Sequence, residues 1–199
     1  MVVGGLLIAA VMAVVAVASS SGARSMATPG SPEGVPLVAG RALAPAASPA
    51  PGQTVDGIGC GSSEQLRYHV HARLTIFVAG KQRAVPAGVG IGPPLQTAGP
   101  FVAGGTCFAL LLTHAADGVI HVESPHAITF VLDQFFAVWQ QPLDASDVGP
   151  ATGRVTAFVN GRRFPGDPSA IALTPHAQIQ LDVGRPIVPP RLTSFPGSL

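Results

Sequence analysis

Charge is what this sequence has least of. Asp, Glu, Lys and Arg make up 11 % of its 199 residues, against about a quarter in an ordinary soluble protein. Lys81 is its one lysine, and 11 Lys+Arg against 10 Asp+Glu leave a net charge of +1. No basic stripe exists to neutralise phosphates, so no nucleic-acid partner is expected. Methionine is equally scarce: Met1, Met12 and Met26 all precede the part expected to fold. A copper(I) thioether site in the folded domain is thereby excluded. Of the two cysteines, Cys60 and Cys107, neither stands in a nucleophile motif, and no Gly-x-Ser-x-Gly occurs. The glycine-rich run Gly88-Val89-Gly90-Ile91-Gly92 meets Pro93-Pro94 rather than a helix, which fails the context a phosphate loop requires. Ala, Gly, Pro and Val fill the space left by these absences.

The chain has room for one domain plus extensions. Val2 to Ala18 is an uninterrupted apolar run ending in Ala16-Val17-Ala18, with no basic residue before it. It reads as a cleaved signal peptide or an uncleaved membrane anchor over 1–18, the membrane being touched only there. No cysteine follows at once, so lipid attachment at that point is excluded. Either reading places the remainder outside the cytoplasm. Residues 19–55, rich in Ser, Ala, Gly and Pro, read as a disordered tether, and folding is expected from Asp56 to Leu199. In an exported chain, an even cysteine count makes a Cys60–Cys107 disulfide the default, with two unpaired buried thiols as the alternative.

The folded part reads as α+β: mostly antiparallel strands and hairpins with one packed amphipathic helix. His69 to Val78 alternates, with Val70, Ala72, Leu74, Ile76 and Val78 on one face and His69, His71, Arg73, Thr75 and Phe77 on the other. It turns at Ala79-Gly80 into a short partner, Gln82 to Val85. Cys107 to Thr113 is apolar on both faces, which predicts a central strand. Val119 to Glu123 is its antiparallel return. A two-residue Asp117-Gly118 turn would set His114 opposite His121 and Leu112 opposite Glu123. A four-residue turn over 115–118 would set His114 opposite Val119. Leu132, Phe135, Phe136 and Trp139 form a helical stripe with a poor cap at Val131. Arg154 to Val159, a turn at Asn160-Gly161 and Arg162 to Phe164 mimic the stretch 73–81, by duplication or by shared hairpin rules. Gln178 to Val183 is the last strand, followed by a Pro-rich tail.

Two short histidine runs carry the chemistry. His69 and His71 share a strand face, as do His121 and Glu123, and His114 falls on a face with Phe108, Leu110 and Leu112, where an unpaired imidazole is costly. The candidate metal ligands are therefore His69, His71, His114, His121 and Glu123, a donor set that suits zinc or copper(II). The alternative is a metal-free structural or protein-interaction module whose histidines only hydrogen-bond. A metal-dependent enzyme with Glu123 as general base ranks last, and no catalytic residue is assigned. A cupin is not indicated, because Thr75 stands near where that pattern needs a glutamate. His126 and His176, each beside a proline, read as ordinary surface residues.

At Tyr68-His69-Val70-His71, Gly118-Val119-Ile120-His121-Val122-Glu123-Ser124 and Gln134-Phe135-Phe136-Ala137-Val138-Trp139, the chain resembles a group of exported or membrane-tethered bacterial and archaeal proteins with no established activity. The resemblance implies a small extracytoplasmic domain. That group reads His-Thr-His-Asp where this chain has Leu112-Thr113-His114-Ala115, so one candidate ligand of the group is a leucine here.

Overall fold

Alternation along 68–78 builds the centre of the molecule. In the structure, a computed structural model that describes residues 1, 30–197 and 199, the strand Tyr68–Val78 lies inside a seven-stranded mixed sheet. Gln178–Val183 runs parallel to it on one side, followed outward by Val155–Val159 and Arg162–Arg163. On the other side come Val119–Ser124 and then Leu111–Leu112, both antiparallel, while Lys81–Arg83 folds back on its end. The α+β class, mostly β, is the observed one. Both hairpin tips have two residues at positive φ, Ala79 with Gly80 and Asn160 with Gly161, the geometry that matches strand twist.

One face of this sheet is the core. Ala72, Leu74, Ile76, Ile120, Val122, Ile179 and Leu181 pack there against the helix Leu132–Val138. Phe135, Phe136 and Trp139 are wholly buried, each contributing on the order of 2–3 kcal/mol. Val131 offers no side-chain cap, and its N–H instead donates to Gln134 Oε1 at 3.0 Å. The opposite face is divided. Its Gln178–Val183 half is crossed by the Pro-rich tail, where the Val188 N–H donates to Asp182 Oδ1 at 2.9 Å. Its histidine half is the candidate site.

Three expectations need correction. The stretch Cys107 to Thr113 is not a central strand. Phe108–Ala109 pairs with Ile58–Gly61 in a separate small sheet, and Leu111–Leu112 is the edge of the large one. It is apolar on both faces because the Gly88–Gly92 loop covers that edge: the Ala109 N–H donates to Gly90 O at 2.7 Å and the Thr113 N–H to Val89 O at 3.0 Å.

The two-residue turn is also absent. The pairs are Leu111 with Val122 and Leu112 with His121, the register of the four-residue alternative. Only Gly118 has positive φ (85°), whereas a type I′ turn needs both central residues there. Asp117 Oδ1 accepts the Val119 N–H at 2.9 Å, and Gly118 O accepts the Leu74 N–H at 2.8 Å. These bonds hold the loop open. A Cβ on Gly118 would lie 2.4 Å from Leu74 O. Gly118→Ala is therefore expected to lower stability by about 3 kcal/mol, through backbone strain plus overlap. Urea unfolding of the variant reads it, and a loss under about 1 kcal/mol would mean the loop relaxes freely.

The third correction concerns the tether. Residues 1–18 lie, Met1 apart, outside the described residues, as does 19–29, but 30–55 is part of the domain. Val35 and Ala44 are buried. The Val38 N–H donates to Ala116 O at 2.8 Å, the Leu43 N–H to Ala84 O at 2.9 Å, and Trp139 Nε1 to Pro45 O at 2.8 Å. Low hydrophobicity misleads here because prolines fix φ in advance and so reduce the entropy lost on ordering. Their carbonyls still accept the donors of neighbouring strands. The expected disulfide is present, with Cys60 and Cys107 Cα atoms 5.4 Å apart and 47 positions of chain between them.

Candidate metal centre

Strand pairing brings the two histidine runs together. His71 lies directly opposite His121 and His69 opposite Glu123, so all four side chains share the face away from the core. Opposed residues on an antiparallel pair have Cβ atoms about 5 Å apart. The ring centroids follow: 4.4 Å between His69 and His71, 4.7 Å between His71 and His121. His114 is not opposite His121 but diagonal to it, and its ring still meets that of His121 edge-on at 4.7 Å. Leu112 takes the opposing place and packs with Ile91 and Val102. A histidine at 112 would thus face His121 rather than Glu123.

All five expected residues therefore converge, and two unexpected ones join them. Glu33 reaches His121 from the N-terminal segment, Oε1 lying 3.2 Å from His121 Nε2. Glu64, just before the histidine strand, places Oε1 3.5 Å from His114 Nε2. With Glu123 Oε1 3.6 Å from His69 Nε2, every glutamate of the chain stands against a histidine of this cluster. That scarcity was the available signal: three glutamates among 199 residues, one following Ser31-Pro32 and one four residues after Cys60. His126 is exposed and lies outside the group, and His176 stacks on Phe195 near the tail.

The burial of these polar groups is unusual for a solvated strand face. His71 is 6 % exposed, His121 2 % and Glu123 1 %. His71 Nε2 and both Glu123 oxygens have no well-formed hydrogen bond, a cost of about 1–3 kcal/mol for each unsatisfied group. Burial, with the Glu64 charge adding to it, pushes the Glu123 carboxyl up to about 7; His121 and the Gln65 backbone N–H act weakly the other way. Burial also pushes His71 down to about 3, reinforced by His121 and His69, and lowers His69 and His114 for the same reason. Burial alone would raise the Glu33 carboxyl, yet its contact with His121 holds it below the usual range. At neutral pH, then, His69, His71 and His114 are uncharged and keep a lone pair for a cation.

Tautomers sharpen this. His114 Nδ1 lies 2.6 Å from Val102 O, and Phe101 stacks on the ring at 4.6 Å. A carbonyl only accepts, so Nδ1 carries the proton and Nε2 carries the lone pair. That lone pair faces the Glu64 carboxylate, acceptor against acceptor, a geometry that a cation between them would relieve. Fixing one ring nitrogen on a backbone carbonyl is also how proteins orient imidazole ligands. The nearest distances in the cluster run from 3.1 Å, His69 Nε2 to His121 Nδ1, to 3.6 Å. Bonds of about 2.0–2.2 Å to one ion would set neighbouring donors about 2.8–3.6 Å apart.

Comparison with protein-family models, with curated proteins and with solved structures finds no match for this chain.

Proposed function

We propose that this chain is an extracytoplasmic, non-catalytic metal-binding domain, exported or tethered through its N-terminal apolar run, whose histidine face takes zinc or copper(II). The observation that carries the reading is convergence. Four of six histidines and all three glutamates meet at one half-face of a sheet, and His71 Nε2 and the Glu123 oxygens are buried there with no well-formed hydrogen bond. A metal-free interaction face would leave those atoms in contact with solvent or hydrogen-bonded to protein, because burying them otherwise is costly. The resemblance to exported proteins and the Cys60–Cys107 bridge support the location, since disulfides persist in oxidising compartments.

The test is elemental analysis and competition titration of the full chain with zinc and copper(II). Tight, stoichiometric binding is expected in the parent. His71→Ala and His121→Ala, each checked by circular dichroism for an intact fold, are expected to weaken binding at least about 100-fold, given that even outer-sphere partners are worth 10–100-fold. A parent protein that binds neither ion above micromolar affinity would sink the reading.

A further inference from the structure

The donor set is larger than a single ion takes. Zinc in proteins is almost always four-coordinate, yet seven side chains meet here. Five of them fall into two groups whose ligand atoms lie within 4.8 Å of one another: His69, His71 and His121, and His114, His121 and Glu123. Only His121 belongs to both. Its two ring nitrogens also meet different neighbours, Nδ1 lying 3.1 Å from His69 Nε2 and Nε2 lying 3.2 Å from Glu33 Oε1.

An imidazole with a carboxylate on its far nitrogen is the ordinary outer-sphere arrangement for one ion. What departs from it is the company Glu33 keeps. His114, with its lone pair held on Nε2 by the Val102 carbonyl, sits edge-on to the His121 ring, and Glu64 stands against that lone pair. A second set of donors is therefore complete around His121, beyond the one that includes His69 and His71. When the second ion binds, the His121 N–H proton passes to solvent, which frees a lone pair on each ring nitrogen.

Building on the metal-binding reading, we propose that the centre holds two divalent ions with the His121 ring as the bridge between them. One ion takes His69, His71 and one nitrogen of His121. The other takes the second nitrogen with His114 and the carboxylates of Glu33 and Glu123. The first position is all imidazole and suits copper(II); the second mixes imidazole with carboxylate and suits zinc or copper(II).

Copper(II) titration of the full chain separates the possibilities, with bound metal counted after equilibrium dialysis and electron paramagnetic resonance read at each step. Two coppers per chain are expected. The resonance should grow with the first equivalent and then fall well below two spins, because an imidazolate couples the two ions antiferromagnetically. His114→Ala and His69→Ala are each expected to bind one copper with an uncoupled signal. Saturation of the parent at one copper, or two coppers with full uncoupled intensity, overturns the bridge and leaves the metal-binding reading standing. A parent that binds no copper overturns both.

Discussion

Zinc at about 1,000 times its dissociation constant is expected to raise the unfolding free energy of this chain by about 4 kcal/mol, because an ion that binds only the folded state shifts the equilibrium by mass action. At about 2–4 °C per kcal/mol for a chain of this size, the melting temperature should rise by about 8–16 °C. The structural reason is that the donors come from four separate places in the sequence. Glu33 belongs to the N-terminal segment, Glu64 to the loop after Cys60, His69 and His71 to the central strand, and His114 and His121 to the loop and strand beyond. No such set exists in an unfolded chain. A protease that cuts after glutamate gives a second readout, since its three sites, Glu33, Glu64 and Glu123, all lie in the cluster. Zinc should slow all three cleavages together. His121→Ala is expected to remove both effects, and an equal rise in parent and variant would place the binding elsewhere.

The strands of this fold were legible where side-chain period alone decides them. Val70, Ala72, Leu74 and Ile76 alternate against His69, His71 and Arg73, and Leu132, Phe135, Phe136 and Trp139 repeat at helical spacing, so both faces could be read. Register is a different matter. Whether Asp117-Gly118 closes in two residues depends on where Asp117 Oδ1 and Gly118 O find partners, and one of those partners is Leu74 on another strand. Local turn preference cannot contain that information. The same holds for Cys107 to Thr113, whose apolar faces are covered by a loop rather than by two neighbouring strands.

The site was half legible for a related reason. Five candidate ligands could be named because strand alternation puts pairs on one face, but their meeting required the His71–His121 pairing across strands about fifty residues apart in sequence. Glu33 was hidden by composition. A Pro- and Ala-rich run without periodicity resembles a tether, and only its hydrogen bonds to Ala84, Ala116 and the Gly88–Gly92 loop reveal that it is part of the fold. Once chain position no longer argues against it, the rarity of glutamate becomes the more useful signal.

Removing the disulfide, as Cys60→Ser with Cys107→Ser, is expected to cost about 4 kcal/mol of stability, since the bridge closes a loop of 47 positions and restricts the unfolded chain accordingly. Against a typical total of about 5–15 kcal/mol that is a large share, and the urea midpoint should fall in proportion. The bridge also has a local effect. Cys60, four residues before Glu64, pairs with Ala109 in the small sheet, and Cys107 lies seven residues before His114. It therefore fixes the two chain segments whose side chains face each other as Glu64 Oε1 and His114 Nε2. The double variant should consequently bind zinc more weakly at a denaturant-free pH of 7, where it remains folded, by roughly 10-fold or more, the range seen when support around a metal ligand is lost. Unchanged affinity with lowered stability would mean that the Glu64–His114 contact is held by the sheet alone. Weakened affinity would tie the site to thiols that stay oxidised, which is the condition met outside the cytoplasm.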